Sequence, residues 1–239
     1  MSMEPLVSQT VLDALRRLDT CTVSNAIETF NVRLYNAGFS DSSIHCILPD
    51  LPPMVGYAAT ARMRSGEQPV QGGRYHDRSD WWANILTVPE PRVIVIQDMD
   101  EAPGRGAFLG DVHAAILKAL GCVGFVSNGA VRELPRVRDL KFPLFAGSVA
   151  VSHAYAHIFS CCEAVTIGGL EIRPGDLLHG DVHGLLKVPK EIAAKIPDVA
   201  AELRKREDQI VKYCQSPGFS VNELAAFLER MRVAGPRQG

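Results

Sequence analysis

The sequence predicts a layered α/β domain with helices at both ends of the chain. Between residues 92 and 147, buried strands alternate with short helices, which is typical of a layered α/β unit. After residue 160, short apolar runs are separated by Gly168-Gly169, Pro174-Gly175 and Gly184. These breaks indicate a β-layer built from hairpins.

The individual elements follow from local patterns. Apolar residues at helical spacing, with caps or breakers at the ends, mark the helices. They cover residues 8–18, 22–31, 80–87, 111–120, 133–139, 191–210 and 221–232. Apolar runs rich in Val, Ile and Ala mark the strands. They cover residues 56–63, 93–96, 123–127 and 143–147.

Particular residues define the ends and faces of these helices. Thr20 or Thr22 is expected to cap the second helix. The helix over 111–120 is expected to end at Gly121, and Pro197 is expected to break the C-terminal helical segment. The side of the central helix that we expect to face the core consists of Val112, Ala115, Ile116, Ala119 and Leu120.

The composition is that of an ordinary globular protein and excludes several classes of function. The chain has 239 residues, of which 46% are apolar and 22% charged, and its formal net charge is −2. This length supports a sizeable core, and the charge gives no reason to expect nucleic acid as the main partner. Without an apolar run of 18 residues or a signal-peptide pattern, we expect no membrane association and a cytoplasmic location.

The six cysteines form no CxxC motif. In a cytosolic protein thiols stay reduced, so we expect free thiols, most of them buried. They are Cys21, Cys46, Cys122, Cys161, Cys162 and Cys214.

Polar residues gather at the two connections of one helix–strand unit. Gly110 and Asp111 begin the central helix, where unpaired N–H groups and the helix dipole favour an anion. Arg132 and Glu133 follow the next strand and offer a planar guanidinium and hard oxygen ligands. Considered separately, each connection also has a purely structural interpretation. Asp111 would then be a simple helix cap, and the Arg–Glu pair an ordinary surface ion pair. Together they predict a pocket suited to a divalent metal and an anionic substrate.

Two histidine groups allow alternative interpretations. His153 and His157 have the i,i+4 spacing of a metal clamp, but without the glutamate of HExxH we favour two hydrogen-bonded or partly buried histidines. His179, Asp181 and His183 alternate along one predicted strand and share one face. That face is either a pocket wall or the solvent side of a sheet, and we favour the solvent side.

The stretch LGDVHAAILKALGCVGFVSNGAVRE resembles the central motif of the RraA-like family, which comprises regulators of ribonuclease E activity and 4-hydroxy-4-methyl-2-oxoglutarate aldolases. The resemblance continues at FPLFA (142–146) and IRPGDLLHGDVHGLLKVPKEIA (172–193), and DTCTVSNAIE (19–28) is similar to the family's N-terminal helix. It implies a layered β/β/α swivelling-domain fold over residues 1–200. Residues 201–239 are expected to form a helical extension that packs on the domain or on a neighbouring subunit.

The resemblance also implies a chemistry. It indicates an Mg²⁺- or Mn²⁺-dependent lyase that cleaves a small 2-oxo acid, by retro-aldol reaction or decarboxylation, through a pyruvate enolate. Glu133 and Asp111 would serve the metal, with Asp111 orienting metal-bound water, and Arg132 would stabilise the enolate oxygen. A homotrimer or homohexamer would place the sites at subunit contacts. The substrate carboxylate would bind backbone N–H groups of Gly110, Asp111, Val112 and His113.

Three positions depart from the aldolase pattern. Glu133 replaces the metal-binding aspartate, and its extra methylene moves the carboxylate by about 1.5 Å, which is large beside Mg–O distances of about 2.0–2.1 Å. Arg136 replaces a further acidic residue, and Asn128 replaces another aspartate. Two rival functions therefore stay open: a non-catalytic regulator that contacts a partner enzyme, and a different metal enzyme that acts on a sugar acid.

The polar loop over residues 65–80 also has two interpretations. It contacts the distal group of the substrate, or it is a solvated surface turn. The residues concerned are Arg74, Tyr75, His76 and Arg78.

Overall fold

The computed structural model describes residues 7–69 and 78–233, and a nine-stranded mixed sheet lies at its centre. The strands of this sheet are β1 (His45–Cys46), β2 (Met54–Arg64), β3 (Arg92–Asp98), β4 (Ala107–Leu109), β5 (Cys122–Val131), β6 (Leu144–Val149), β7 (His157–Cys161), β10 (Leu177–Asp181) and β11 (Gly184–Val188). Strands β8 (Val165–Ile167) and β9 (Leu170–Ile172) pair in a separate antiparallel hairpin.

The helices lie before, between and after the strands. They are α1 (Gln9–Leu15), α2 (Thr20–Glu28), α3 (Arg78–Ile85), α4 (Asp111–Ala119), α5 (Leu134–Asp139), α6 (Ile196–Cys214) and α7 (Val221–Val233). A short 3₁₀ turn, Ala193–Lys195, precedes α6.

The strand order is β1-β6-β5-β3-β2-β10-β11, with β4 beside β5 and β7 beside β2. The central strands β2, β3, β5 and β6 run parallel. Strands β10 and β11 extend the sheet as an antiparallel hairpin. Because parallel neighbours end at the same edge of a sheet, the residues that follow β3 and β5 lie on one side of the molecule.

Both faces of this sheet are covered, which explains the continuous apolar character of β3. Ile94 and Ile96 belong to the larger core cluster, with residues of α1, α2, α4, α5 and α6. Val93 and Val95 point the other way, into a smaller cluster with the β8–β9 hairpin. The result is a helical layer, the main sheet and a second β-layer, so the predicted layered β/β/α fold is confirmed.

The helix starts differ from the predictions at two places. The cap of α2 is Asp19, not a threonine, and its carboxylate accepts hydrogen bonds from the N–H and hydroxyl of Thr22 at 2.8 and 2.7 Å. The predicted break at Pro197 is also wrong. Pro197 lies in the first turn of α6, where its missing N–H costs no hydrogen bond and its fixed φ suits the helix.

The predicted core face of α4 is wrong for most of its residues, although Leu120 does pack against the core. Ala114 and Leu117 are the buried residues of this helix, whereas Val112 is 67% exposed. The helix does end at Gly121, whose φ of +73° suits a glycine after a helix. The exposed valine leaves an apolar surface at the start of α4.

Helix α6 passes residue 200, the predicted domain boundary, without a break. Ile196 and Ala200 are buried against the domain, and residues 201–231 contain no buried side chain. The end of α6 packs on the segment that follows it, since Tyr213 stacks on Phe227 with ring centroids 4.3 Å apart. Residues 201–233 thus form a helical hairpin with its own small aromatic contact.

All six cysteines are free, as predicted, but their predicted burial is wrong for most of them. Only Cys122 is buried, and Cys46 and Cys161 are partly exposed. Within residues 7–69 and 78–233, no helix combines the length and the apolarity needed to cross a membrane.

Candidate functional site

Pairing of β4 with β5 brings the two predicted polar connections together. The Arg132 N–H donates to the Leu109 carbonyl at 3.0 Å, immediately before Gly110 and the first turn of α4. The end of β5 and the start of α4 therefore lie side by side. Asp111, Arg132 and Glu133 meet there although 20 residues separate the first from the other two.

The Glu133 carboxylate joins these two ends. One oxygen accepts the Asp111 N–H at 3.0 Å, and the other lies 3.2 Å from the guanidinium of Arg132. The backbone of Glu133 is left-handed, with φ 57° and ψ 37°, a conformation that costs a non-glycine residue about 1–3 kcal/mol. A strained residue whose side chain spans two elements is common at functional sites.

Asp111 is held from two sides. Its Oδ1 accepts the Val112 N–H at 2.7 Å, and its Oδ2 accepts a hydrogen bond from Arg136 at 2.9 Å. The Arg136 hydrogen bond is the main reason that the pKa of Asp111 lies below its ordinary value. Asp111 is therefore ionised at neutral pH.

Gly110 precedes α4 and leaves room for the Glu133 carboxylate. Its φ of −131° is open to any residue, so its conformation does not require glycine. A Cβ at this position would collide with the Glu133 carboxylate. The glycine thus permits the close approach of a carboxylate to the start of α4.

The remaining predicted substrate contacts differ in their surroundings. Val112 is exposed, and its N–H already donates a hydrogen bond to the Asp111 carboxylate. The His113 ring stacks on Phe108 with centroids 5.1 Å apart, so this side chain packs against the domain. The N–H groups of Asp111 and Val112, predicted to bind a substrate carboxylate, face protein carboxylates in this structure.

The donor set at this site is compatible with magnesium. Asp111 and Glu133 supply carboxylate oxygens, and Mg²⁺ in proteins is often held by one or two carboxylates while water and substrate complete its shell. A closed protein cage is not present, because the described part of the chain contains no group of three or more His, Cys, Asp or Glu side chains able to hold an ion. Arg136, which donates a hydrogen bond to Asp111, would compete with such a cation.

Residues 20–186 match the family model described as RraA-like, Aldolase/RraA. The chain belongs to the RraA-like family. A protein of Halalkalibacterium halodurans named "Putative 4-hydroxy-4-methyl-2-oxoglutarate aldolase" is 30% identical over 126 residues, which cover 52% of this chain and 59% of that protein. This chain therefore spans less than two thirds of that relative's length.

Two solved structures share the fold. An uncharacterized protein from Pseudomonas syringae has a TM-score of 0.69 and 25% identity, covering 95% of this chain and 100% of that one. Streptomyces coelicolor RraAS2, described as an unusual member of the RNase ES inhibitor RraA protein family, has a TM-score of 0.65 and 23% identity, covering 86% and 97%. These likenesses agree with the RraA-like fold predicted from the motif.

Asn128, one of the departures from the aldolase pattern, has a positioning role in this RraA-like domain. Its amide accepts the Asp98 N–H at 2.7 Å and donates to the Asp98 carbonyl at 3.0 Å, which ties β5 to β3. The buried Asp98 carboxylate accepts the N–H groups of Asp100 and Gly104. This network shapes the turn that leads into β4 and the site.

Asp98 and Asp100 were not predicted from the sequence as residues near the site. Acidic residues directly after a buried parallel strand were the available signal. Burial raises the pKa of Asp98, and Asp100 accepts hydrogen bonds from the N–H and hydroxyl of Ser65. An open cleft of about 680 Å³, lined in part by Arg64, Asp100 and Arg105, lies at this end of the sheet.

The predicted solvent exposure of His179 and Asp181 is wrong. His179 is fully buried and Asp181 is 7% exposed, because α1 and α2 cover this part of β10. His179 Nε2 lies 3.1 and 3.2 Å from the carbonyls of Leu15 and Leu18, and its Nδ1 lies 3.0 Å from the Thr20 hydroxyl. The pair is a buried polar link between the N-terminal helices and the sheet.

The interpretation of His153 and His157 as hydrogen-bonded histidines is confirmed. The Nδ1 atoms lie 2.6 and 2.7 Å from the carbonyls of Ala154 and Tyr155, respectively. The two residues do not share a helix, since β7 begins at His157. Arg74, Tyr75 and His76 of the polar loop lie outside the described residues, and Arg78 begins α3.

Proposed function

We propose that this RraA-like protein is an Mg²⁺- or Mn²⁺-dependent lyase that cleaves a small 2-oxo acid to a pyruvate enolate. The observation that carries the proposal is the meeting of Asp111, Arg132 and Glu133 at the end of β5 and the start of α4. The aldolase name of the Halalkalibacterium relative supports the same chemistry. Retro-aldol cleavage of a 4-hydroxy-2-oxo acid and decarboxylation of oxaloacetate both pass through this enolate.

Glu133 and Asp111 are the residues that would hold the ion. When bound, a divalent ion supplies positive charge that polarises the 2-oxo group and stabilises the developing enolate. In the structure, the Glu133 carboxylate accepts a hydrogen bond from the Asp111 N–H, the first N–H group of α4. Turning this carboxylate toward a cation would free that N–H for the substrate carboxylate, which the helix dipole also favours.

Arg132 is the residue best placed to stabilise negative charge on the reacting oxygen. Its side chain is about one third exposed, and its guanidinium is oriented by Glu133 at 3.2 Å and by the Val151 carbonyl at 3.5 Å. A preorganised donor of this kind acts where charge develops during the reaction. Its fork also suits a carboxylate in two-point contact.

Asp111 would orient a water molecule that serves as the base or proton donor. Because Arg136 lowers its pKa, Asp111 is ionised at neutral pH and accepts, rather than donates, a hydrogen bond. Proton transfer by a correctly positioned group typically contributes about 10²–10⁴-fold to the rate. Arg136 therefore influences the chemistry through Asp111.

Exposed valines around this cluster support an assembled form. Val112, Val149 and Val151 are 67%, 55% and 96% exposed, and Arg132 contacts the Val151 carbonyl. Such exposed apolar groups beside a polar site are typical of a subunit contact. We propose a homotrimer or homohexamer in which a neighbouring subunit covers this face. We also propose that the protein is cytoplasmic.

A non-catalytic regulator is the second candidate, and one observation favours it. Arg136 neutralises Asp111 and Arg132 neutralises Glu133, so four charges already balance without an ion. Such a surface is suited to contact with a partner protein. A metal enzyme that acts on a sugar acid would use the same residues on another substrate.

The deciding experiment measures pyruvate release from oxaloacetate and from 4-hydroxy-4-methyl-2-oxoglutarate. If the protein is this lyase, pyruvate release with Mg²⁺ or Mn²⁺ should be well above the metal-only background. Excess chelator should abolish this release, and added ion should restore it. Release equal to the background with both ions would remove the lyase proposal. Turnover of a sugar acid, but of neither 2-oxo acid, would establish the third candidate instead.

A further inference from the structure

The guanidinium of Arg136 reaches the proposed site from α5 through a single exposed contact. It donates a hydrogen bond to the Asp111 carboxylate at 2.9 Å, while 78% of the Arg136 side chain is exposed. A guanidinium has five N–H donors, and among the described residues Asp111 is its one hydrogen-bond partner. Because an exposed ion pair contributes little free energy, Arg136 can leave Asp111 at small cost when another acidic group takes its place.

The backbone that carries Arg136 is fixed, so only its side chain has to move. Val137, the next residue, is fully buried in the core. The Lys118 ammonium group of α4 donates to the Leu140 carbonyl just after α5, which ties the two helices together. The guanidinium of Arg136 therefore stays within a few side-chain rotations of its present contact.

Four charged residues form one continuous row of contacts across the site. Arg132 lies 3.2 Å from one oxygen of the Glu133 carboxylate, and the other oxygen accepts the Asp111 N–H at 3.0 Å. The Asp111 carboxylate in turn accepts the hydrogen bond from Arg136. The two guanidinium groups are thus the two ends of the row, an arrangement suited to a ligand with an acidic group at each end.

The two arginines differ in how firmly they are held. The Arg132 side chain is 30% exposed, and its guanidinium contacts both Glu133 and the Val151 carbonyl. This firmer hold suits the reacting end of a substrate, where a preorganised donor is needed. Arg136 is more exposed and has no part in the proposed chemistry, so it is free to contact the far end of a ligand.

We propose that Arg136 determines specificity by binding the distal carboxylate of a 2-oxo dicarboxylic acid, and that it leaves Asp111 when it does so. This inference rests on the proposed function, which assigns the 1-carboxylate and the 2-oxo group to Arg132 and the first turn of α4. The planar fork of Arg136 suits a carboxylate in two-point contact. The exchange breaks no covalent bond, since only the hydrogen-bond partner of the guanidinium changes.

This exchange links binding of the acid to binding of a divalent cation. While Arg136 contacts Asp111, its positive charge opposes a cation at that carboxylate. A ligand that draws Arg136 away removes the opposition, so a 2-oxo dicarboxylic acid raises the affinity for Mg²⁺. By reciprocity, Mg²⁺ raises the affinity for the acid by the same factor. A 2-oxo monocarboxylic acid has no second carboxylate for Arg136 and lacks this effect.

The test compares 2-oxoglutarate with 2-oxopentanoate, which has a methyl group in place of the distal carboxylate. Neither acid carries the 4-hydroxyl group needed for retro-aldol cleavage, so both serve as uncleaved ligands. Titration calorimetry of the full-length chain without metal should show that 2-oxoglutarate binds about two- to fivefold more tightly. With each acid at saturation, and after subtraction of Mg²⁺ bound by the free acid, 2-oxoglutarate should raise the Mg²⁺ affinity about two- to fivefold more than 2-oxopentanoate does.

Two variants on the same helix separate a specific contact from an effect of net charge. Arg136→Gln should abolish both differences, because glutamine stays polar but carries no charge. Arg138→Gln should retain both, since Arg138 pairs with Asp50 instead. Equal binding of the two acids by the wild type would overturn the proposal, as would a preference for 2-oxoglutarate that persists in Arg136→Gln. A preference without the Mg²⁺ effect would overturn the exchange at Asp111.

These outcomes are separable from those of the lyase proposal. A preference for 2-oxoglutarate that depends on Arg136, without pyruvate release from either proposed substrate, would support the ligand contact and remove the lyase. Pyruvate release from oxaloacetate without such a preference would support the lyase and remove Arg136 as its specificity-determining residue.

Discussion

The guanidinium of Arg136 on α5 donates a hydrogen bond to the carboxylate of Asp111 on α4 at 2.9 Å. Asp111 is one of the two carboxylates that would hold the metal ion of the proposed lyase. The contact therefore places a fixed positive charge where a metal ion would compete.

Arg136→Glu should increase affinity for Mg²⁺. The change removes a cation that competes for Asp111, and because the Arg136 side chain is 78% exposed we expect a gain of about two- to fivefold. Titration calorimetry with Mg²⁺ measures the effect. Arg138→Glu on the same helix is the control, since Arg138 pairs with Asp50 instead; equal gains in both variants would mean that only net charge matters.

Glu133→Asp should bind Mg²⁺ at least as well as the wild type and decarboxylate oxaloacetate faster. The shorter side chain restores the aldolase ligand and gives up the contact with the Asp111 N–H. Glu133→Gln keeps the length and a hydrogen-bond acceptor but loses the charge, so it should bind Mg²⁺ weakly. If the three proteins bind Mg²⁺ equally, Glu133 is not a metal ligand.

Arg132→Lys should lower turnover far more than stability. Lysine keeps the charge but loses the planar fork, and losing a preorganised donor to a developing oxyanion costs roughly 10²–10³ in turnover. Arg132 makes only partly exposed contacts, so the free energy of unfolding should change little. Steady-state kinetics and urea unfolding measure the two effects, and a parallel loss of both would assign Arg132 a structural role.

The protein should become less stable in weak acid because His179 is protonated more easily in the unfolded chain. Burial lowers the pKa of His179, so the unfolded chain, with a histidine pKa of about 6.5, takes up the proton first. The free energy of unfolding should therefore fall as the pH drops below about 6.5, by at most about 1.4 kcal/mol per pH unit. Urea unfolding at pH 5–8 measures the slope.

The same experiment has an internal control in His179→Gln. Glutamine does not titrate and can still donate to the carbonyls of Leu15 and Leu18, so its slope between pH 7 and 5 should be smaller. Hydrogen bonds from Thr20 and His183 outweigh burial and lower the pKa of Asp181, so its contribution is lost only as the pH falls below about 4. An unchanged slope in His179→Gln would place the titrating group elsewhere.

Val151→Glu should dissociate the proposed trimer or hexamer. Val151 is 96% exposed beside Arg132, and a charge in an apolar contact is costly to desolvate. Sedimentation velocity at micromolar concentration measures the assembly. Val182→Glu, at another exposed valine, should leave it intact, and a monomeric wild type would contradict the assembly and the role of a neighbouring subunit.

Local sequence patterns determined much of the fold. The apolar run around Val93–Ile96 marks a strand covered on both faces because each of its side chains must be apolar whichever face it meets. Gly121 marks the end of α4 because that position needs a left-handed backbone. The pairing of Gly110-Asp111 with Arg132-Glu133 was also readable, since each connection carried residues that a plain helix or strand does not need.

Only the tertiary structure decided which groups these residues meet. Ala114 and Leu117, not Val112, face the core, because the neighbouring sheet, and not the apolar pattern of α4 itself, sets its orientation. His179 is buried because two helices more than 150 residues earlier in the chain cover its strand. Arg136 contacts Asp111 because α5, which carries the arginine, lies beside the start of α4. Such contacts depend on the arrangement of distant elements, which local periodicity and caps do not encode.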